Sequence, residues 1–112
     1  MDKYYYAEMQ ADAVGAVVEM HLEKQLNKSQ VSVQPVDAEG NSVTKGVTGT
    51  VEVQAYPAGV ATKDAAYTQT IDLATATTVS LSGFFDDIHV TPTDLTGEGV
   101  AGYKVIVSQI VG

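Results

Sequence analysis

From Val47 to Tyr56 the sequence reads VTGTVEVQAY, and this stretch decides the fold class. Val47, Gly49, Val51, Val53 and Ala55 alternate with polar residues as far as Gln54. Successive side chains of a β-strand point to opposite faces of a sheet, so the alternation predicts a strand with one buried side. A helix would need apolar residues every three or four positions instead. Pro57 and Gly59 are expected to end the strand.

Similar short segments lie on both sides of this strand, separated by turn residues. Alternating or β-branched runs predict further strands over residues 30–34, 70–73, 77–82, 88–91 and 103–111. Two of these segments are expected to stop at a proline, at Pro35 and Pro92, because proline cannot donate a ladder hydrogen bond. Turn residues recurring at such short intervals are typical of an all-β domain.

The final predicted strand is apolar on both of its faces. Tyr103, Val105, Val107 and Val111 share one side, whereas Ile106 and Ile110 lie on the other. Such a strand is either central in a two-layer packing or covered by a partner.

Residues 7–26 fit two interpretations. Val14, Val18, Leu22 and Leu26 have the spacing of a helix, whereas residues 18–23 alternate as a strand does. We expect a strand over residues 17–24 and keep the helix as the alternative. The count is then seven or eight short strands. It predicts a single all-β domain over residues 1–112, a small antiparallel β-sandwich or jelly roll with an N-terminal arm at residues 1–12.

Composition excludes several classes of function. The 112 residues include no cysteine, arginine or tryptophan, and six lysines against fourteen carboxylates give a formal net charge of −8. Without cysteine there is no disulfide, thiolate nucleophile or cysteine-based zinc site. The acidic balance predicts no binding to nucleic acid or to anionic membranes, since phosphate recognition relies on basic residues. The N-terminus has no signal-peptide pattern, so we expect a chain that is cytosolic when made or one that is assembled into something larger.

No motif predicts catalysis or a cofactor. Residues 97–102 match the dinucleotide-binding pattern G-x-G-x-x-G, but a strand follows where that fold needs a helix, so we expect a loop. His21 and His89 are interpreted as strand histidines without a cluster of metal ligands around them. Asp86 and Asp87, with Asp94 and Glu98, lack the spacing of a calcium loop, so we expect solvated carboxylates, with calcium binding as the minor alternative. The sequence therefore predicts no enzyme, no cofactor and no metal.

Three consecutive tyrosines, Tyr4, Tyr5 and Tyr6, form the clearest candidate for an interaction surface. Tyrosine is enriched in the cores of protein interfaces. Three in a row cannot all face one core, so at least one ring should be exposed or touch a neighbour. The alternative is a first strand or arm folded back on its own domain.

From Thr70 onward the order of strands and turns resembles a known family. The residues concerned are TVSLSG at 78–83, FDDIHVTP at 85–92, LTG at 95–97 and YKVIV at 103–107. They resemble the small β-structured virion proteins of tailed bacteriophages. The resemblance implies a structural protein at the capsid surface, a decoration or cement protein that bridges capsid subunits and forms a homo-oligomer, with a trimer favoured.

The interface of such a protein is expected at Tyr4, Tyr5 and Tyr6 together with Ile106 and Ile110. Two alternatives remain for its function: a tail or fibre component, or a module of the immunoglobulin type that binds carbohydrate or a cell surface.

Overall fold

The computed structural model describes residues 4–59 and 67–112, which form eight β-strands. The strands are β1 (Tyr4–Ala11), β2 (Val18–His21), β3 (Lys28–Val36), β4 (Thr48–Pro57), β5 (Tyr67–Asp72), β6 (Thr78–Ser82), β7 (Phe85–Thr96) and β8 (Gly102–Ile110). Within these two ranges no helix has the length and apolar character needed to cross a membrane. The predicted all-β fold with seven or eight strands is confirmed.

The strands form two four-stranded antiparallel sheets. The first sheet has the order β1-β8-β3-β6 and the second has the order β2-β7-β4-β5. The first strand therefore pairs with the last, the second with the seventh, the third with the sixth and the fourth with the fifth. This order arises when a long hairpin, in which eight strands form four antiparallel pairs, is wrapped into two layers. The fold is the jelly roll. It differs from the immunoglobulin order, so the jelly-roll form of the predicted sandwich is the one observed.

The core lies between the two sheets, and valine is its most frequent residue. In the stretch that decides the fold class, Val51, Val53 and Ala55 are fully buried, whereas Thr50 and Glu52 are exposed. Strand β4 ends at Pro57, as predicted. The same alternation recurs in β3 and β8, where the valines that face the second sheet are fully buried: Val31, Val33, Val105 and Val107. One face of each sheet is thus removed from water, which supplies the main stabilisation of the fold.

The prediction that strands stop at Pro35 and Pro92 is wrong. Strand β3 continues to Val36 and β7 continues to Thr96. Both prolines lie beyond the end of a shorter neighbour: β6 pairs with β3 only as far as Ser32, and β2 pairs with β7 only as far as Val90. At Pro92 the long strand is locally an edge, and at Pro35 only an isolated bridge between Val36 and Ser42 lies on that side, so the missing N–H interrupts no strand ladder.

Residues 7–26 contain parts of two strands and the turn between them. The strand predicted over residues 17–24 is observed as β2, shorter than expected, and the helical alternative is wrong. Residues 4–11, predicted within the N-terminal arm, form the edge strand β1 along β8. The described part of the arm therefore folds back on its own domain, which was the alternative interpretation. Residues 1–3 of the arm lie outside the described residues.

Candidate functional site

The antiparallel register arranges the outer face of the first sheet, which points away from the core, in rows across the strands. Residues directly opposite each other in paired strands project to the same face. The rows are Tyr4, Ile110, Lys28 and Ser82; then Tyr6, Ser108, Gln30 and Ser80; then Glu8, Ile106, Ser32 and Thr78; and finally Gln10, Lys104 and Gln34. The large apolar side chains of this face lie on β1 and β8, and its β6 side is rich in hydroxyls.

Four of the five predicted interface residues lie together on this face. Tyr4, Tyr6, Ile106 and Ile110, here named the Tyr–Ile patch, come from the neighbouring strands β1 and β8. Tyr4 lies directly opposite Ile110, and Tyr6 is the diagonal neighbour of both isoleucines. Tyr4 is 73% exposed, Tyr6 58% and Ile110 53%, while Ile106 is half-buried. The sequence placed these residues in two separate segments, and the pairing of β1 with β8 joins them.

Tyr5 lies apart from the Tyr–Ile patch. It is half-buried and opposite Gln109, on the side of the first sheet that faces the core. Neighbouring residues of a strand project to opposite faces. Two of the three tyrosine rings are exposed, which agrees with the expectation that three in a row cannot share one core.

A hydrogen bond orders the rim of the patch. The hydroxyl of Tyr6 donates to Oε2 of Glu8 at 3.1 Å, between residues that share the outer face. This hydrogen bond to the carboxylate raises the pKa of Tyr6 above its ordinary value, since it stabilises the protonated phenol.

The outer face of the first sheet carries little of the acidity of the chain. Its charged residues are Glu8, Lys28 and Lys104, one carboxylate against two lysines, on a chain with a formal net charge of −8. Depletion of charge around aromatic and aliphatic side chains is typical of interface cores. This face is thus suited to close contact with another protein.

The side of the same face near β6 is a shallow depression. It has a volume of about 340 Å³, and its lining combines Gln30, Ser80, Ser82 and Ser108 with the side chains of Lys28 and Ile110. In the adjacent row the hydroxyls of Ser32 and Thr78 are hydrogen-bonded to each other at 2.8 Å. These short side chains leave a depression beside the Tyr–Ile patch, and Ile110 belongs to both.

The outer face of the second sheet brings the two histidines together with carboxylates. His21 Nδ1 lies 2.5 Å from Oδ1 of Asp87, and His89 Nε2 lies 3.1 Å from Oε1 of Glu19. The pairing of β2 with β7 places one carboxylate opposite each histidine, an arrangement that the sequence analysis did not predict. The expectation of surface or half-buried strand histidines is correct: the His21 side chain is 94% exposed and that of His89 27%.

These pairs do not form a metal centre. Across residues 4–59 and 67–112, no group of three or more histidine, aspartate, glutamate or cysteine side chains is arranged to hold a metal ion. His89 uses its other ring nitrogen toward the Tyr56 hydroxyl, at 3.2 Å, and its ring meets the Tyr56 ring edge-on with 4.7 Å between centroids. The arrangement is a hydrogen-bonded surface network.

The four carboxylates considered for calcium are dispersed. Asp86 Oδ2 accepts a hydrogen bond from the amide of Gly59 at 3.1 Å, whereas Asp87 faces His21. Glu98 forms an exposed ion pair with Lys45, with 3.5 Å between Oε2 and Nζ. Their sequence proximity therefore does not become a shared oxygen cage.

The G-x-G-x-x-G stretch is a loop, as predicted. Residues 97–101 connect β7 to β8, and the last glycine of the pattern, Gly102, begins β8. A Cβ on Gly102 would lie 2.1 Å from the carbonyl oxygen of Ala11. This glycine thus permits close approach of the backbones between β8 and the end of β1.

Sequence reasoning missed two buried polar side chains that support the candidate surface. Gln109, on the inward face of β8, accepts a hydrogen bond from the amide of Glu23 at 2.8 Å and donates to Ser29 Oγ at 3.1 Å. Tyr103, also inward, donates its hydroxyl to the carbonyl of Ala16, and burial raises its pKa to about 12. The available signal was the position of Gln109 in the alternation of β8, on a face that is otherwise apolar.

Comparison with known proteins gives a likeness in fold. No protein-family model matches the sequence, and no curated protein is significantly similar to it. Among solved structures, the SPBc2 prophage-derived protein YomS is similar with a TM-score of 0.53 and 9% identity, over 98% of this chain and 96% of that one. The tripod from the baseplate of bacteriophage Tuc2009 has a TM-score of 0.52 and 14% identity, over 96% and 89% of the two chains.

A chain of the Triatoma virus empty capsid is similar as well, with a TM-score of 0.53 and 8% identity over 98% of this chain and 68% of that one. At such identities the likeness shows the fold. The chain has a β-sandwich fold that is also found in two phage-derived proteins and in a viral capsid.

Proposed function

We propose that this chain is a structural protein of a phage virion, of the capsid decoration or cement type, which stabilises the head by bridging capsid subunits. The observation that carries the proposal is the Tyr–Ile patch on the outer face of the first sheet. Tyr4, Tyr6 and Ile110 are each more than half exposed, although large apolar side chains favour burial. A contiguous apolar patch rimmed by polar residues marks a site of protein contact.

The composition of this surface supports a protein partner. Tyrosine provides a large contact area at a low cost in side-chain entropy, and its hydroxyl finds a polar neighbour at the rim, as Tyr6 does with Glu8. Arginine, a frequent interface anchor, is absent from the sequence. Binding energy must therefore come from tyrosine, isoleucine and backbone pairing, all of which are present at β1 and β8.

The likeness in fold supports a virion role. YomS is prophage-derived, the baseplate tripod belongs to a phage particle, and the third neighbour is a viral capsid. On the decoration hypothesis the partner is the major capsid protein, the location is the capsid surface, and the chain acts as a homo-oligomer. The likeness to the baseplate tripod favours a tail or baseplate component as the second candidate.

We also infer that the chain is not an enzyme and binds neither nucleic acid nor membrane. The two histidine–carboxylate pairs lie on the outer face of the second sheet, and each includes one side chain that is mostly exposed, His21 in one pair and Glu19 in the other. Catalytic acid–base groups work best where water is excluded. The excess of carboxylates repels phosphate backbones and anionic lipids alike.

Quantitative mass spectrometry of purified phage particles, before and after separation of heads from tails, tests this proposal. A decoration protein is expected in the head fraction, in many copies and in a fixed ratio to the major capsid protein. A few copies that follow a tail or baseplate subunit would support the second candidate. Absence from both fractions would refute a virion role.

A second experiment tests the stabilising role itself. Heads that lack the chain should release their genome at a lower temperature than complete heads, and addition of the purified chain should restore the difference. As a control, heads that lack the chain are heated alone at pH 7, cooled to room temperature and only then mixed with the chain. This addition should not restore the heat resistance. Equal heat resistance of heads with and without the bound chain would contradict the cement function.

A further inference from the structure

The edge strand β1 presents a long, regular and unprotected pairing surface. Its eight residues pair with β8 in one continuous register, from Tyr4 opposite Ile110 to Ala11 opposite Tyr103. No described strand pairs with the other side of β1. That side therefore exposes a row of backbone N–H and C=O groups, a template for a further strand.

The other three sheet edges are shorter than β1. Strands β2, β6 and β5 have four, five and six residues. Proteins usually protect edges by keeping them short, or by lysine, proline or a bulge. Strand β1 contains no lysine or proline, its ladder shows no register shift, and Glu8 is its one charged residue. The missing protection indicates that β1 is covered by another strand.

We propose that β1 pairs antiparallel with β1 of a second copy of this chain, around a twofold axis perpendicular to the sheet. The two four-stranded first sheets then become one continuous eight-stranded sheet. Such a contact is self-complementary and closed, because each copy uses the same surface. The proposal does not depend on the function proposed above, and it gives a dimer where the family resemblance implies a trimer.

The alternation of faces restricts the register of this pairing. Core-facing residues must oppose core-facing residues, since a slip by one position would turn every side chain to the wrong side. In each allowed register, one residue at the twofold axis lies opposite its own copy. For pairings near the middle of the strand, this residue is Tyr6, Ala7 or Glu8. Glu8 against its own copy would place like charges opposite each other, which is destabilising. Tyr6 against its own copy pairs only residues 4–8, whereas Ala7 pairs residues 4–10.

The register centred on Ala7 also gives favourable side-chain pairs. Tyr6 faces Glu8 of the second copy on the outer face, where its hydroxyl already donates to Glu8 of its own chain. Tyr5 faces Met9 of the second copy on the other face, and sulfur–aromatic contacts are favourable. Met9 is 46% exposed in the single chain, so the pairing covers apolar surface that water now reaches. Each of these contacts occurs twice by symmetry.

Cysteine cross-linking tests the register directly, because the natural chain contains no cysteine. Directly opposed residues have Cα atoms about 4.5–5.5 Å apart, within the range that a disulfide bridges. The variant A7C should become a disulfide-linked dimer on mild oxidation. Y5C alone and M9C alone should not, since each lies about 13 Å from its own copy, but an equal mixture of the two should cross-link. S80C, exposed on the edge strand β6, reports random collision.

A charge pair at position 6 gives an independent measurement by light scattering in solution. Tyr6 is well exposed, so both Y6E and Y6K should fold as single chains. Y6E should shift the equilibrium to monomer, because Glu at position 6 would face Glu8 of the second copy, whereas Y6K should remain a dimer. A natural chain that is monomeric or trimeric, equal behaviour of Y6E and Y6K, or cross-linking of A7C no greater than that of S80C would each overturn the proposal.

Discussion

Gly49 lies against the backbone of Asp94 where β4 and β7 change register. Gly49 has φ +112°, and a Cβ at this position would lie 2.5 Å from the carbonyl oxygen of Asp94. Asp94 itself has φ +54°. The ladder shifts between Thr48 and Thr50, so β7 has an extra residue there, as in a β-bulge. The bulge depends on a residue without a side chain at position 49.

We expect Gly49→Ala, which adds a single methyl group, to be among the most destabilising Gly→Ala substitutions in the chain. The new methyl group would meet backbone, which cannot move aside as a flexible side chain can, and the left-handed φ adds strain. The free energy of unfolding should fall by about 3 kcal/mol, measured by urea denaturation.

Gly46→Ala is the matched control. Gly46 also has a positive φ, +68°, but no atom lies within 4 Å of its added Cβ. Its substitution should cost only the backbone strain, about 1 kcal/mol. Equal losses for the two variants would show that φ alone decides, and the close contact with Asp94 would then contribute nothing.

Gln109 is expected to hold the turn between β2 and β3 in place. Its side-chain amide accepts from the Glu23 amide at 2.8 Å and donates to the Glu23 carbonyl at 3.2 Å, with Ser29 as a further partner. Gln109→Ala leaves these groups without their partner and opens a gap beneath the turn. We expect a loss of about 2–3 kcal/mol in the free energy of unfolding, together with faster hydrogen exchange of the Glu23 amide.

The neighbouring Ser108→Ala provides the comparison for Gln109. Ser108 is exposed on the outer face of the same strand, so its change should stay within about 0.5 kcal/mol. A Gln109→Ala variant as stable as Ser108→Ala would mean that water replaces the side-chain amide at no cost.

The strands were predictable where local pattern decides, and their pairing was not. The alternation of Val51, Val53 and Ala55 identifies β4, and a two-faced apolar β8 predicts the central strand that is observed. The strand ends predicted at Pro35 and Pro92 were wrong, because a strand accepts a proline where its neighbouring strand has already ended. That neighbour is distant in sequence. Local sequence cannot show where β6 or β2 ends along its partner.

The candidate surface was predictable in its residues and unpredictable in its geometry. Exposed aromatic and isoleucine residues identify Tyr4 and Ile110 as interface candidates, but about a hundred positions separate them in the sequence. Only the register of β1 on β8 makes them neighbours. The carboxylates opposite His21 and His89 were missed for the same reason, since antiparallel pairing brings together residues that share no local pattern.

Alkaline pH should destabilise the fold through Tyr103. Its pKa is raised from 10.0 to about 12, chiefly because burial disfavours the phenolate. The folded chain binds this proton more tightly than the unfolded chain does. The stabilisation is therefore complete below pH 10 and is lost as the pH rises towards 12, by about 1–2 kcal/mol.

Tyr103→Phe should be less stable at pH 7, by about 1 kcal/mol for the lost hydrogen bond. Urea denaturation at several pH values should show a shallower alkaline decline for this variant; parallel declines would assign the effect to other tyrosines.

Substitution of Tyr4 and Ile110 should separate attachment to the virion from folding. Both side chains are more than half exposed and directly opposite, so Tyr4→Ser and Ile110→Ser should each cost less than about 1 kcal/mol in unfolding. Each should weaken binding to heads that lack the chain roughly tenfold, the effect of truncating one interface anchor. The double variant should lose less than the product of the single losses, because the two side chains contact the partner as one unit.

Thr70→Ala, exposed on the outer face of the second sheet, should bind as the natural chain does. Normal binding by all three Tyr–Ile patch variants, or a loss for Thr70→Ala, would place the contact elsewhere on the molecule.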